Sequence, residues 1–376
     1  MICRKRLRLS IHYKTNSMLN NKTVHVVLFG IGQIGSALIN QINEAKSRLQ
    51  QYQNLQLRIP IVANSKLAFY DKEGISNSWE TNFEAFSVPY KIDEIIRFVK
   101  QQKLKNLIAI DATASNAFIK NYIPLIENGF NIVSANKVAN TLHYDFYKFL
   151  RYELKKHNKS FLYETNVGAG LPVIETIKGL HNSGEHIERI RGVFSGSLSF
   201  IFNHFSDDDI SFSKALNEAS KLGLTEPDAR EDLSGNDVAR KLLILARELN
   251  IKAEFQDIHV ESLVPKQLNG KTTLHQFNTR SKELDLPFQS LKNQLTKSQV
   301  LRYVGELNVK EKTLEVKLIS EDRKSSLGQL KGSDSVFEIF TKSYGKQPLV
   351  IQGAGAGKYV TARGVLSDVI KISNHL

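Results

Sequence analysis

The chain of 376 residues contains a single cysteine, Cys3, together with two methionines and one tryptophan. One thiol near the start excludes a disulfide scaffold and a Cys-ligated zinc site, and it leaves the body of the chain without a thiol nucleophile. The ten histidines show no metal spacing such as H-E-x-x-H. No uninterrupted apolar run approaches the ~20 residues needed to cross a bilayer, so no membrane partner is expected. Internal repeats and low-complexity linkers are also missing. What remains is 41% hydrophobic, too apolar for a disordered chain. It is long enough for two or three core-bearing lobes. The expectation is a soluble, cytoplasmic, globular protein.

The charge is uneven. Lys and Arg total 51 against 38 Asp and Glu, a net charge of +13. Six of the basic residues, Arg4, Lys5, Arg6, Arg8, Lys14 and Lys22, fall in residues 1–22 with no acid among them. That stretch lacks the apolar centre of a signal peptide and reads as a disordered basic leader, with Met18 as an alternative start. Elsewhere the basic residues are dispersed among acids, with no aromatic-interleaved basic motif, so no nucleic-acid partner is expected.

Short apolar runs at 24–29, 57–63, 107–111 and 130–134 read as buried strands. They alternate with helical patterns at 36–49, 92–102 and 116–127. That alternation predicts a parallel, doubly wound sheet. Past residue 144 the pattern changes to helices at 144–157, 211–222, 237–250 and 284–295, paired strands at 300–307 and 313–320, a strand at 349–351 and a closing helix at 360–372. The expected fold is α/β: a doubly wound nucleotide-binding domain over 23–163 and an α+β catalytic and dimerisation domain over 164–340. The segment 341–376 is expected to return to the first domain.

The first strand runs into Gly30-Ile31-Gly32-Gln33-Ile34-Gly35 and then a helix. In that context G-x-G-x-x-G is a dinucleotide loop. Gly30 permits the tight turn, Gly32 lets the backbone approach a pyrophosphate, and Gly35 lets the helix pack on the sheet. The free N–H groups at the helix start, including those of Gln33 and Ile34, suit phosphate oxygens. An acid at the end of the second strand would grip the ribose of NAD. Here Ala63-Asn64-Ser65-Lys66 stands instead, and Ser65 with Lys66 favours the 2′-phosphate of NADP over NAD.

Residues 225–237, TEPDAREDLSGND, gather a run of acids in a basic protein. A helix follows, and Asp237 and Lys241 share one face of it. A lysine held by a carboxylate can exchange a proton in a closed site, and the other carboxylates can bind an ammonium. By pattern alone a solvated acidic loop with an ordinary helix ion pair fits equally well.

The match then becomes specific. Tyr163-Glu164-Thr165-Asn166-Val167-Gly168-Ala169-Gly170-Leu171-Pro172 resembles the cation-and-substrate loop of homoserine dehydrogenases, and residues 223–241 resemble that family's substrate signature. Ser134-Ala135-Asn136-Lys137, the turn Phe194-Ser195-Gly196-Ser197-Leu198-Ser199, the stretch 300–305 and the glycine loop 353–357 match in the same order, so the resemblance covers about 24–376. It implies a Rossmann domain and the NAD(P)-dependent interconversion of L-homoserine and L-aspartate 4-semialdehyde, in threonine, methionine and isoleucine biosynthesis. It implies that Lys241 is the general acid, that Asp237 holds it, and that Lys137 stabilises the alkoxide beside the nicotinamide. Glu226 and Asp232 are implied to bind substrate, and Thr113, Ala114 and Gly357 to touch the cofactor. Glu164, Val167, Ala169 and Leu171 are implied to surround a structural monovalent cation such as Na+. A homodimer is implied as well. Ala229, Glu231, Val138 and Ala114 depart from the usual family residues, and none of them removes a proposed catalytic group.

Aspartate-semialdehyde dehydrogenase, a sister reading, works through a cysteine that this chain lacks after Cys3. The glycine run before Lys358 is not a phosphate-binding loop of the G-K-[ST] type, because Tyr359 follows. With the motifs using the chain from residue 24 to the last helix, neither a fused aspartate kinase nor a threonine-binding regulatory domain is expected.

Overall fold

A computed structural model of the chain describes residues 22–270 and 272–376. The basic leader, with Cys3 and Met18, lies outside the described residues apart from Lys22, which opens the first strand rather than ending the leader.

The described strands form two sheets. The first contains β1 (Lys22–Phe29), β2 (Leu55–Ala63), β3 (Leu67–Tyr70), β4 (Val88–Pro89), β5 (Leu107–Asp111), β6 (Asn131–Ser134) and β7 (Phe161–Leu162). Their spatial order is β4-β3-β2-β1-β5-β6-β7. Strands β2, β1, β5, β6 and β7 are parallel, and β3 and β4 add an antiparallel edge. Strand β5 is LIAID and buried at every position, because both faces of the sheet are covered. The helix Gln33–Gln53 crosses from β1 to β2, buries Gly35, Leu38, Ile39, Ile42 and Leu49, and stops at Asn54 in the left-handed conformation (φ +50°). The helix expected at 116–127 is split. It is a 3₁₀ turn over Asn116–Asn121 and an α-helix only over Tyr122–Glu127. Pro124 has no N–H to give the Lys120 carbonyl, so one continuous ladder cannot run through.

The second sheet contains β8 (Ile187–Val193), β9 (His259–Val260), β10 (Gln299–Asn308), β11 (Thr313–Asp322), β12 (Asp334–Thr341) and β13 (Leu349–Ala354), in the order β13-β12-β8-β10-β11-β9. It is antiparallel except for β9 beside β11. Helices Gly196–Asp207 and Asn236–Glu248 pack on one face, with Phe212–Lys221 against the first of them, in a core that continues through Tyr163 and Val167 to Val27 and Phe29 of the first sheet. Two expectations change here. The stretch 194–199 is not a free turn. Ser195 caps a helix by accepting from Leu198 N, and the chain from Gly196 is helical. Strand β13, inside the segment expected to return whole to the first domain, instead pairs with β12. The helix Lys358–Asn374 is what packs on the first sheet, where Ala362, Val365, Leu366, Val369 and Ile372 share a core with Val24, Val26, Leu38 and Ile42. Among the described residues no helix is long and apolar enough to cross a membrane.

Candidate functional site

The strand order reverses between β1 and β5, and in such sheets a crevice opens at the carboxyl ends of the strands. Gly30 sits there at φ +95°, its N–H donated to the Ala63 carbonyl at 2.8 Å. A side chain at Gly30 would meet the Ala112 carbonyl oxygen at 2.6 Å. The helix Gln33–Gln53 starts after Gly32 with no side-chain cap, which leaves its first N–H groups free for an anion. Gly35 has a different reason from the one expected. A methyl there would collide with the Gly30 carbonyl oxygen, so the third glycine lets the loop close on itself rather than letting the helix approach the sheet.

A cleft of about 840 Å³ at this crevice is lined by Gly30, Gly32, Ser65, Tyr90, Thr113 and Ala114. Asn64 turns the chain into β3, its Oδ1 accepting from Lys66 N at 2.8 Å and Leu67 N at 2.7 Å. That oxygen is therefore committed to the turn. Ser65 lines the cleft, whereas Lys66 is exposed beside it and is not part of the lining.

A second cleft, of about 640 Å³, adjoins the first across the helix start, where Ile34 belongs to its wall. It brings together Lys137, Glu226, Asp232, Asp237, Lys241 and Gly357, which come from distant parts of the chain. Lys241 is buried. Its Nζ donates to Asp237 Oδ2 at 2.8 Å and to the Phe194 carbonyl at 2.6 Å. Lys137 Nζ lies 3.5 Å from the other oxygen of Asp237. Burial alone pushes the Asp237 carboxyl up, but the Lys241 and Lys137 ammonium groups outweigh it and hold the carboxyl well below its ordinary range.

Asp232 has a different setting. Its Oδ1 accepts from Ser197 Oγ at 2.6 Å and its Oδ2 from Glu226 N at 2.8 Å, so it ties the Glu226 loop to the helix Gly196–Asp207. Burial pushes its pKa up. The Glu226 carboxyl is also raised, first by burial and then by the neighbouring Asp232, Glu231 and Asp237. Its side chain lines the cleft, and among the described residues it has no ion-pair partner.

Sequence reasoning missed several residues. Asn236, Arg240 and Thr361 line the same cleft. Asn136, read only as a neighbour of Lys137, is a buried hub. Its Nδ2 donates to Asp111 Oδ2 at 3.1 Å and to the Ser115 carbonyl at 3.1 Å, and its Oδ1 accepts from Val138 N at 3.1 Å. Asp111 also accepts from Thr113 N and from the Tyr122 hydroxyl, and burial raises its pKa against those bonds. The 113–115 loop and Lys137 are thus fixed to one buried carboxylate. The signal available was Asp111 itself, an acid ending an otherwise apolar strand.

The loop with Glu164, Val167, Ala169 and Leu171 lies between the first sheet and the helix Val173–Asn182. Both Glu164 carboxylate oxygens accept backbone N–H groups of that helix, Ile174 N at 2.7 Å and Glu175 N at 2.9 Å. Gly168 and Ala169 are left-handed in succession (φ +80° and +52°), which curls the backbone between two buried residues, Val167 and Ala169. With the carboxylate engaged, the donors this loop can offer a cation are neutral backbone carbonyls, which suit a hard ion of low charge.

The family model described as "Homoserine dehydrogenase" matches residues 172–370, and that described as "Homoserine dehydrogenase, NAD binding domain" matches residues 30–164. The chain is 38% identical over 362 residues to a bifunctional aspartokinase/homoserine dehydrogenase of Buchnera aphidicola, covering 96% of this chain and 44% of that protein. It therefore spans less than half the length of that relative. It is 35% identical over 368 residues to the homoserine dehydrogenase of Saccharomyces cerevisiae, covering 95% of this chain and 100% of that protein. A crystal structure of a Candida auris protein of unknown function superposes with a TM-score of 0.85 at 34% identity, covering 94% of this chain and 98% of the other.

The glycine loop makes one prediction. Gly35→Ala should push the Gly30 carbonyl out of place and weaken dinucleotide binding about tenfold or more, as overpacking by one methyl costs roughly 1–3 kcal/mol. NADPH fluorescence titration checks it, and an affinity equal to that of the parent would contradict it.

Proposed function

We propose that this chain, which belongs to the homoserine dehydrogenase family, interconverts L-homoserine and L-aspartate 4-semialdehyde with NAD(P). The observation that carries the proposal is the Lys137–Asp237–Lys241 group in a cleft that adjoins the dinucleotide crevice. The full-length match to the yeast enzyme supports it. The dinucleotide, when bound, supplies or takes up the hydride at the substrate's C4. In the reducing direction Lys241 gives its proton to the aldehyde oxygen as that oxygen gains negative charge. Lys137 faces the same oxygen and stabilises the charge, and Asp237 keeps both ammonium groups aimed into the cleft. Glu226 holds the substrate ammonium. Asp232 sets the Glu226 loop and adds negative charge beside that ammonium.

NADP is the preferred cofactor, because the loop after β2 offers Ser65 and Lys66 and no acid to the ribose. The carbonyls of Val167, Ala169 and Leu171 beside Glu164 would hold a monovalent cation such as Na+, which would brace that loop. The enzyme works as a cytoplasmic homodimer in the synthesis of threonine, methionine and isoleucine.

Three outcomes are expected. Purified protein oxidises L-homoserine with NADP or NAD, and Lys241→Ala lowers kcat by about 10²–10⁴, the range for a general acid–base group. No activity with either cofactor, or full activity in the variant, sinks the assignment. The KM for homoserine rises as pH falls through the raised pKa of Glu226, because the protonated acid no longer attracts an ammonium. In Glu226→Gln the KM should be high and flat with pH, and a profile that still follows the parent's would exclude Glu226. Lys66→Glu should raise the KM for NADP about tenfold while leaving that for NAD within about twofold, since only the 2′-phosphate carries the extra charge. Equal changes in the two KM values would remove Lys66 from the phosphate site.

A further inference from the structure

We propose that Arg247 is a positioning residue for hydride transfer, setting Lys137 against Lys241 from the buried side. The inference rests on the reading of the second cleft as the dehydrogenase site.

Arg247 follows Lys241 by six residues on the helix Asn236–Glu248, about 9 Å further along it. Its guanidinium is fully buried. Nη1 donates to the carbonyls of Asn140 and Leu142, each at 2.8 Å. Nε and Nη2 donate to the Ala253 carbonyl at 3.2 and 2.9 Å, and Nη2 also reaches Glu254 Oε2 at 3.0 Å. Asn140 and Leu142 sit at the end of a one-turn helix, Val138–Thr141, whose N-cap residue is Lys137. Thr141 Oγ1 donates back to the Lys137 carbonyl at 3.2 Å, so that turn moves as a unit with Lys137.

The helix bearing Asp237 and Lys241 and the turn bearing Lys137 are therefore joined at two points. One is the Asp237–Lys137 ion pair at the cleft, and the other is the Arg247 fork in the interior. Asn136 anchors the start of the turn on Asp111 and Ser115, and the Asn140 side chain meets Asn166 and Arg151, so the turn is held on its own layer. Without the Arg247 fork its only polar tie to the helix that bears Asp237 and Lys241 would be the ion pair at the cleft. Glu254 completes the frame, since its other oxygen accepts from Tyr144 N at 2.8 Å just beyond the turn. The planar fork matters. A lysine at 247 has one ammonium and cannot span the Asn140, Leu142 and Ala253 carbonyls with fixed angles. An apolar side chain would fill the space without saying where those carbonyls lie. A misplacement of about 1 Å at a reacting group can cost about 10² in rate.

The test compares the parent with Arg247→Lys and Glu254→Gln. It reads kcat, KM for homoserine, NADPH affinity, thermal midpoint and a crystal structure of Arg247→Lys. Arg247→Lys is expected to lower kcat about 10–100-fold, with KM and NADPH affinity within about threefold of the parent. Its crystal structure should show Lys137 Nζ beyond about 4 Å from Asp237, with the Lys241–Asp237 pair intact. A folded variant with unchanged kcat, or one whose activity falls only with its folded fraction, overturns the proposal. If Arg247→Lys does not fold, Glu254→Gln decides. A lower kcat at unchanged KM supports the role, and an unchanged kcat overturns it. If the parent itself does not oxidise homoserine, the activity reading fails separately, and the variant's Lys137–Asp237 distance still decides whether Arg247 positions Lys137.

Discussion

Asp237 stands between two ammonium groups, 2.8 Å from Lys241 and 3.5 Å from Lys137. Two ammonium groups aimed into one cleft repel each other. A carboxylate shared between them offsets that repulsion, and in return they hold it well below its ordinary range. The three groups come from two structural layers. Lys137 follows β6 of the first sheet, and Asp237 and Lys241 open a helix that packs on the second. The ion-pair geometry therefore requires that the two layers hold a fixed relation. The apolar core supplies it by running unbroken from Val27 and Phe29 through Val167 to Phe194 and Leu242.

The closing helix reinforces the same relation. It starts at Lys358, directly after the Gly355–Gly357 wall of the cleft, and ends at Asn374 against β1, where Lys22 Nζ donates to the Ser373 carbonyl. Gly364 faces the methyl of Thr165, and a side chain there would strike it. The loop 164–171 is thus pressed between this helix and the first sheet. Glu164 N donates to Asp368 Oδ2 at 2.9 Å, which pins the same loop to the same helix. A segment that leaves the second sheet at β13 and ends on the first sheet thus supplies one wall of the cleft on its way.

What the sequence reveals follows from what produces the signal. Strand β5 and the helix Ile92–Gln101 were legible nearly to the residue, because one is a continuous apolar run between turns and the other has a clean apolar stripe. The helix Gly196–Asp207 was not. Its residues LSFIF are apolar on almost every side, since it is packed against both the sheet and the helix Phe212–Lys221, so no helical period stands out. The β2–β3 hairpin was hidden for another reason. Its turn is made by the Asn64 side chain, whose bonds to Lys66 N and Leu67 N leave no mark in the hydrophobic pattern. At the site, the residues with chemistry at their tips (Lys137, Glu226, Asp237 and Lys241) were all named, and the structure gathers them. The residues that hold them carry no such mark: Asn136 stands out only as a neighbour of Lys137 and Arg247 not at all, because their partners are backbone carbonyls and a carboxylate far off in the chain.

Those two residues bear on how a short segment can be fixed at all. Residues 136–142 form less than two turns and bury few apolar atoms, so hydrophobic packing alone leaves their orientation soft. Hydrogen bonds are directional, and in a buried setting they are strong and costly to leave unmade. Asn136 fixes the start of the segment to Asp111 and Ser115, and Arg247 fixes its end to the catalytic helix. Replacing either by an apolar residue of similar size takes a donor from buried carbonyls, and in the case of Asn136 one of the donors of Asp111, while the core stays full. The desolvation of an asparagine, an aspartate and an arginine is thus the physical counterpart of a lysine that points in one direction. The same segment carries Lys137 into the second cleft, so its orientation decides whether that ammonium faces whatever binds there.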